Sequence, residues 1–146
     1  MYNGNVNDLK NLFLFQLLTA NEIDFVAEII KEKSIEAGEK IFAEFDTGDT
    51  MYMIESGRIK ITAGQGNNEK ELTVLKKGDF FGEIALFERV PRTAAAIAVE
   101  ESNILEISRA DFSVLISNNP HIGNKILFRM VQDLSKKLRN TIAGSR

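Results

Sequence analysis

The sequence predicts a mainly β domain with helices at both ends. Three observations predict it: a central run of short strands punctuated by glycines, an apolar stripe at helical spacing before it, and a four–three–four apolar repeat after it. The leading helical region is expected over residues 6–33, the β region over 34–108 and the closing helices over 109–143, with the whole chain, 1–146, forming one domain.

The elements follow in order. Asn7 is placed to cap a short helix leading into "LKNLFLFQLL". In "TANEIDFVAEIIKEK" the residues Ile23, Phe25, Val26, Ile29 and Ile30 form one stripe, Asn21 is a candidate N-cap, and Glu22 and Asp24 suit the positive end of the helix dipole. "MYMIESGRIKITA" reads as two strands turning near Ser56-Gly57; in the second, Ile59, Ile61 and Ala63 alternate with Arg58, Lys60 and Thr62. "GQGNNE" is a polar turn, and "ELTVL", "TAAAIAVE" and "SNILEIS" are further strands, so a sandwich, barrel or jelly roll is expected. "RADFSVLIS" is a short helix ending at Asn118-Asn119, and Pro120 suits the first turn of a long one. There Leu127, Val131, Leu134 and Leu138, followed by Thr141, have the spacing of a coiled-coil seam, which serves either a homodimer or packing on the chain's own barrel.

Composition excludes several function classes. The net charge is −3, which argues against a nucleic-acid surface and against an anionic membrane surface. No stretch is long and apolar enough to span a bilayer, and "MYNGNVNDLKNLFLF" lacks the features of a secretory signal, so a cytoplasmic protein is expected. The chain has no cysteine, which removes disulfides, iron–sulfur clusters and thiol nucleophiles. The single histidine, His121, has no nucleophile or metal partner near it in sequence, and one histidine cannot supply a metal-binding jelly roll. Asp46 and Asp49 in "FDTGDT" lack the six-ligand pattern of a calcium loop and read as a polar turn. No metal site, no catalytic residue and no enzymatic activity are expected.

One stretch, "GDFFGEIALFERVPRTAA" from Gly78 to Ala95, carries chemistry. Gly82 permits a close backbone approach, and "GEIAL" suits a short helical turn whose first amides are unpaired and suit an anion. Arg92 offers a planar fork of donors that matches two phosphate oxygens. Glu83, an acceptor when ionised, suits a sugar hydroxyl instead. The residues therefore allow a pocket for one phosphate beside a hydroxylated ring. They equally allow a loop in which Glu83 and Arg92 pair with each other.

"FGEIALFERVPRTAA" resembles the phosphate-binding cassette of the cyclic nucleotide-binding domain, with matches at Phe81, Gly82, Glu83, Ile84, Ala85, Leu86, Pro91, Arg92, Thr93 and Ala94. "AGEKIFAEFDTGDTMYMIESGRIKI" is similar to that family's early strands, "LFLFQLLTANEIDFVAEII" to its opening helices and "RADFSVLISNNPHIGNKILFRMVQDLSKKL" to its closing ones. The likeness runs from about Val6 to Ile142 and looks most like the bacterial, catabolite-activator-like (Crp/Fnr-like) branch. That branch continues into a helix-turn-helix DNA-binding domain, and the resemblance ends where such a domain would begin.

The resemblance implies an eight-stranded β-roll, or jelly roll, with N-terminal helices, a short cassette helix and a long C-terminal helix. It implies that Arg92 grips a cyclic phosphate with the amides of Ile84 and Ala85, that Glu83 accepts from the ribose 2′-hydroxyl, and that Thr93 sits near phosphate and base, with Gly82, Phe81 and Ala94 in the same cassette. It implies further that Leu72 and Ile61 line the base pocket, and that the long helix closes over the base through Leu134, Lys137, Leu138 or Thr141. The implied ligand is cAMP in preference to cGMP, Thr93 also permitting cGMP, with no haem, metal or iron–sulfur cluster. The implied role is a regulatory signal-transduction module whose C-terminal helix reports binding to a dimer partner or effector. The alternatives are a ligand-free interaction domain of the same fold, or a piece of a larger transcription regulator, channel or kinase.

Overall fold

The computed structural model describes residues 2–144. The chain opens with α1 (Val6–Lys10), a 3-10 turn (Phe13–Phe15) and α2 (Ala20–Ile29). The cap of α1 is Asn5, whose side chain accepts from Asn7 N at 2.9 Å, so Asn7 is the capped residue and not the cap. For α2 the cap is Thr19 rather than Asn21. Glu22 N donates to Thr19 Oγ1 at 3.2 Å and Thr19 N to Glu22 Oε1 at 2.9 Å, a reciprocal box that satisfies two orphan donors.

Eight strands follow: β1 (Lys31–Ile35), β2 (Lys40–Phe42), β3 (Thr50–Ser56), β4 (Ile59–Ala63), β5 (Lys70–Leu75), β6 (Phe80–Phe81), β7 (Ala95–Ala98) and β8 (Ser102–Ser108). They form two antiparallel sheets, in the orders β1-β8-β3-β6 and β2-β7-β4-β5. Helix therefore stops at Ile29 and not at Lys33, and the β region begins at Lys31 and not at Ser34. β1 pairs along its whole length with β8, from Lys31 opposite Glu106 to Ile35 opposite Ser102. As a sheet edge with four exposed residues it has no apolar alternation to announce it.

β3 is buried on both faces, and its side chains alternate between two cores. Met51 and Met53 face a helical core with Phe15, Val26, Phe80, Leu105, Phe112 and Ile126. Tyr52 and Ile54 face the space between the sheets, with Ile59, Leu75, Phe81 and Ile104. The same alternation separates Phe80 from Phe81 and brings Tyr52 and Phe81 together inside the roll, ring centroids 5.2 Å apart.

The closing helices are α3 (Arg109–Asn118), capped by Ser108, and α4 (Pro120–Gly144). α4 packs on α3 through Gly123, where a Cβ would come within 2.7 Å of Ile116 Cγ1. Its first half is buried at Ile122, Ile126 and Met130 and tied to the N-terminal helices. Lys125 Nζ lies 2.6 Å from Glu22 Oε1, and Arg129 Nε donates to Phe13 O at 3.0 Å with the guanidinium over the Phe13 ring. Beyond Met130 the helix is mostly exposed. No helix among the described residues is long and apolar enough to cross a membrane.

Candidate functional site

Arg92 lies in the loop before β7 and is only 8% exposed. Its Nη2 donates to Thr50 O at 2.9 Å and its Nη1 to Gly82 O at 3.2 Å, while Nε is buried with no hydrogen-bond partner. The guanidinium stacks 4.2 Å from the centroid of Phe42, with Tyr52 beyond. Phe42, Tyr52 and Phe81 form one aromatic cluster beneath it. Burial pushes the Tyr52 phenol up from its ordinary pKa, with Glu106 adding to the shift and Arg92 opposing it, so the ring stays neutral beside the cation.

The backbone makes room for that guanidinium. A Cβ on Gly48 would lie 2.7 Å from Arg92 Nη2, and one on Gly82 would lie 2.8 Å from Nη1. Gly82 also has φ 74°, left-handed backbone that a side chain disfavours, and it opens the 3-10 turn Glu83–Leu86. The Arg92 loop is fixed by Arg92 N donating to Asp46 O at 2.7 Å and Phe45 N donating to Arg92 O at 2.8 Å.

Glu83 and Arg92, the pair a simple loop would join, are not joined: among the described residues Glu83 has no hydrogen bond or ion pair, and Arg92 bonds only carbonyls. A buried cation without a counter-charge is costly, and carbonyl dipoles and ring faces offset that only in part.

A cavity of about 500 Å³ opens beside Arg92. The expected residues Phe81, Gly82, Glu83, Ile84, Ala85, Arg92, Thr93 and Ala94 line it, as does Ile61. Thr73 and Leu75 of β5 stand beside Ile61, and α4 contributes Lys137, Asn140 and Thr141. Ala85 N already donates to Gly82 O at 3.3 Å, a long bond, so this amide is available to an anion only as a shared donor.

Three expected residues stand outside. Leu72 is 59% exposed because β5 turns Thr73 and Leu75 inward and, by the two-residue period, Leu72 and Val74 outward. Leu134 and Leu138 of α4 do not line the cavity, although Lys137 and Thr141 do; Leu134, seven residues before Thr141, sits at the border between the cavity side and the exposed side of the helix. Sequence reasoning missed Phe42, Thr73, Leu75, Phe80, Val90 and Asn140. The strand period held the signal for Thr73 and Leu75, and Asn140 is three residues beyond Lys137, one turn along the same face.

Lys137 Nζ lies 2.9 Å from Asp133 Oδ2 without hydrogen-bond alignment, and 5.0 Å from the Phe80 ring centroid. The cavity lining therefore combines the Arg92 cation, the mainly apolar Ile61, Thr73 and Leu75 of β4 and β5, and the polar Lys137, Asn140 and Thr141 of α4.

A profile described as the cyclic nucleotide-binding domain matches residues 32–119. The chain is 29% identical over 119 residues to a cyclic AMP receptor protein of Thermus thermophilus, a match covering 81% of this chain and 55% of that protein. It is 30% identical over 123 residues to a cGMP-dependent protein kinase of Toxoplasma gondii, covering 84% of this chain and 12% of the kinase. The solved structure of the Thermus thermophilus catabolite activator protein superposes with a TM-score of 0.78 at 28% identity, over 90% of this chain and 61% of that one. The chain spans 27%, 55% and 12% of the length of three curated relatives that it matches, so it corresponds to one module of each. The profile covers more than half the sequence and includes both β-sheets and the Arg92 turn, and the chain thus belongs to the cyclic nucleotide-binding domain family.

Proposed function

We propose that the chain is a sensor module that binds a cyclic nucleoside monophosphate, cAMP in preference to cGMP, and signals through α4 without catalysing a reaction. The observation that carries this reading is the buried Arg92 guanidinium, which faces a nucleotide-sized cavity with no carboxylate to neutralise it. In this reading Arg92 takes the cyclic phosphate, with Ile84 N–H as a free donor and Ala85 N–H as a shared one. Glu83, without a protein partner, accepts from the ribose 2′-hydroxyl. Ile61, Thr73 and Leu75 support the base, Thr93 reaches phosphate or base, and Lys137, Asn140 and Thr141 close over it.

Calorimetric titration with both nucleotides tests the reading. Micromolar or tighter binding of cAMP is expected, and replacing Arg92 with alanine should cost about 2–5 kcal/mol, the range for truncating one partner of a desolvated charge pair. Undiminished binding by that variant would remove the phosphate role. A tenfold preference for cGMP, ~1.4 kcal/mol, would reverse the assigned base. Glu83 has its own test: Glu83→Ala should weaken cAMP but leave a 2′-deoxy analogue nearly unaffected, because the analogue has lost the group that Glu83 serves.

Binding drives a conformational change only through different affinities for two states. Here the differential contacts are those of the α4 residues that line the cavity, which belong to the exposed half of the helix. The effector is a second copy of the chain or an output unit of a transcription regulator, channel or kinase. Direct nucleic-acid binding is not part of this reading, given the net charge of −3.

A further inference from the structure

We infer that Phe45 is a positioning residue of the nucleotide site, whose strained backbone opposes the loop that holds Arg92 and so lowers nucleotide affinity from outside the cavity. The inference rests on the cyclic-nucleotide reading above. Phe45 has φ 74° and stands alone among the described residues as a non-glycine at positive φ; glycines hold the other such positions. A Cβ disfavours that conformation, and a phenyl ring gains no local hydrogen bond there as Asn or Asp does. Packing does not return the cost. The ring is 66% exposed, belongs to neither core and stacks on no other ring among the described residues.

Hydrogen bonds hold Phe45 where it is, and they lead to Arg92. Phe45 N donates to Arg92 O at 2.8 Å, and Arg92 N donates to Asp46 O at 2.7 Å. The turn itself is closed by Ala43 N donating to Asp46 Oδ2 at 2.9 Å and tied to the end of β4 by Gly64 N donating to Glu44 Oε1 at 3.0 Å. The same segment supplies Phe42, whose ring faces the guanidinium, and Gly48, which leaves room beside it. The reversal at Phe45 lets one stretch of chain place a ring, two backbone bonds and a gap around a single arginine. Phe45 does not line the cavity, so it acts through Arg92 and not on the ligand.

Relaxation of Phe45 to negative φ re-aims the chain that follows it and withdraws the Asp46 carbonyl from Arg92 N. The free chain then divides between a clamped form, which presents Arg92 to a phosphate, and a relaxed form, which does not. A nucleotide selects the clamped form, and its apparent affinity falls in proportion to the relaxed fraction. Strain that persists only because its surroundings hold it is the kind that biases such an equilibrium.

The test uses the whole chain as wild type, Phe45→Gly and Phe45→Ala, titrated with cAMP and cGMP and followed by amide hydrogen exchange at residues 45 and 92. Phe45→Gly removes the Cβ and should bind both nucleotides at least twofold more tightly, by the same factor, because the loop touches neither base. Phe45→Ala keeps the Cβ and loses only the ring, so it should stay within twofold of the wild type. In the free wild type the two amides should exchange measurably and gain protection on saturation with cAMP; in free Phe45→Gly they should already be protected. A gain below twofold in Phe45→Gly overturns the inference, even if its melting temperature rises, since a merely structural strain would raise stability alone. Equal tightening in Phe45→Ala overturns it too, by assigning the effect to the ring. A wild-type chain that binds neither nucleotide overturns the nucleotide reading and this inference together, whereas wild-type binding with an unchanged Phe45→Gly overturns this inference alone.

Discussion

At Gly48 a methyl group would stand 2.7 Å from Arg92 Nη2 and 3.0 Å from Nε. Gly48 is not at positive φ, so alanine there brings little backbone strain. The guanidinium it would meet is held on two carbonyls and a ring face, and cannot yield without losing them. Gly48→Ala should therefore lower cyclic-nucleotide affinity at least tenfold, roughly 1.4 kcal/mol, with little change in melting temperature. Gly38 is the control: it has φ 84° with nothing within 4 Å of a Cβ, so Gly38→Ala should cost stability and spare affinity. Isothermal titration beside thermal melts separates the two, and wild-type affinity in Gly48→Ala would detach Arg92 from the ligand. The identity of Arg92 was legible because its motif is contiguous in sequence. Its anchors were not, since Thr50 is 42 residues away and Phe42 is on another strand, and nothing local encodes that meeting.

Elements differ in legibility according to how much of their surface they bury. α2, β3, β4 and β8 have a buried face or two, and their apolar patterns announce them. β1 and β5 are sheet edges with mostly exposed residues, and there the pattern gave a late helix end and the wrong phase for Leu72. α4 reads clearly from Pro120 onward, but what fixes it to the body is long-range: Glu22 of α2 and Lys125 of α4, 103 residues apart. The Lys125 ammonium, followed by the Thr19 amide, holds the Glu22 carboxyl below its ordinary pKa of 4.5. A depressed carboxyl stabilises the fold fully above its unfolded value and loses that contribution as pH falls through the folded value. The anchor of α4 should therefore weaken only below about pH 4.5, by no more than about 1 kcal/mol for a pair this exposed. Melting curves of wild type and Lys125→Met from pH 7 down to pH 3 should converge as the acid is approached. A constant gap across that range would assign the variant's loss to packing.

In the whole molecule, α4 is the element with two unequal faces beyond Met130. Lys137, Asn140 and Thr141 line the cavity, while Val131, Leu134 and Leu138 stay outside it and exposed. The expected seam of Leu127, Val131, Leu134, Leu138 and Thr141 is thus narrowed, because Leu127 packs against the helical core and Thr141 lines the cavity. Val131 and Leu138, each 61% exposed, are seven residues apart with Leu134 between them, the spacing by which two identical helices mesh along one seam. A stripe of this spacing would suit a second copy of the chain. Cavity side and seam share one rigid helix, so a nucleotide that moves the one moves the other, and linkage then requires the dimer to bind nucleotide with altered affinity. Sedimentation of the wild type across a hundredfold concentration range should show a monomer–dimer equilibrium whose constant shifts on saturation with cAMP. Val131→Glu should hold the chain monomeric at every concentration and abolish the concentration dependence of nucleotide affinity. A wild type that stays monomeric with and without nucleotide would leave the stripe to an output partner, and the signal would then pass between different chains.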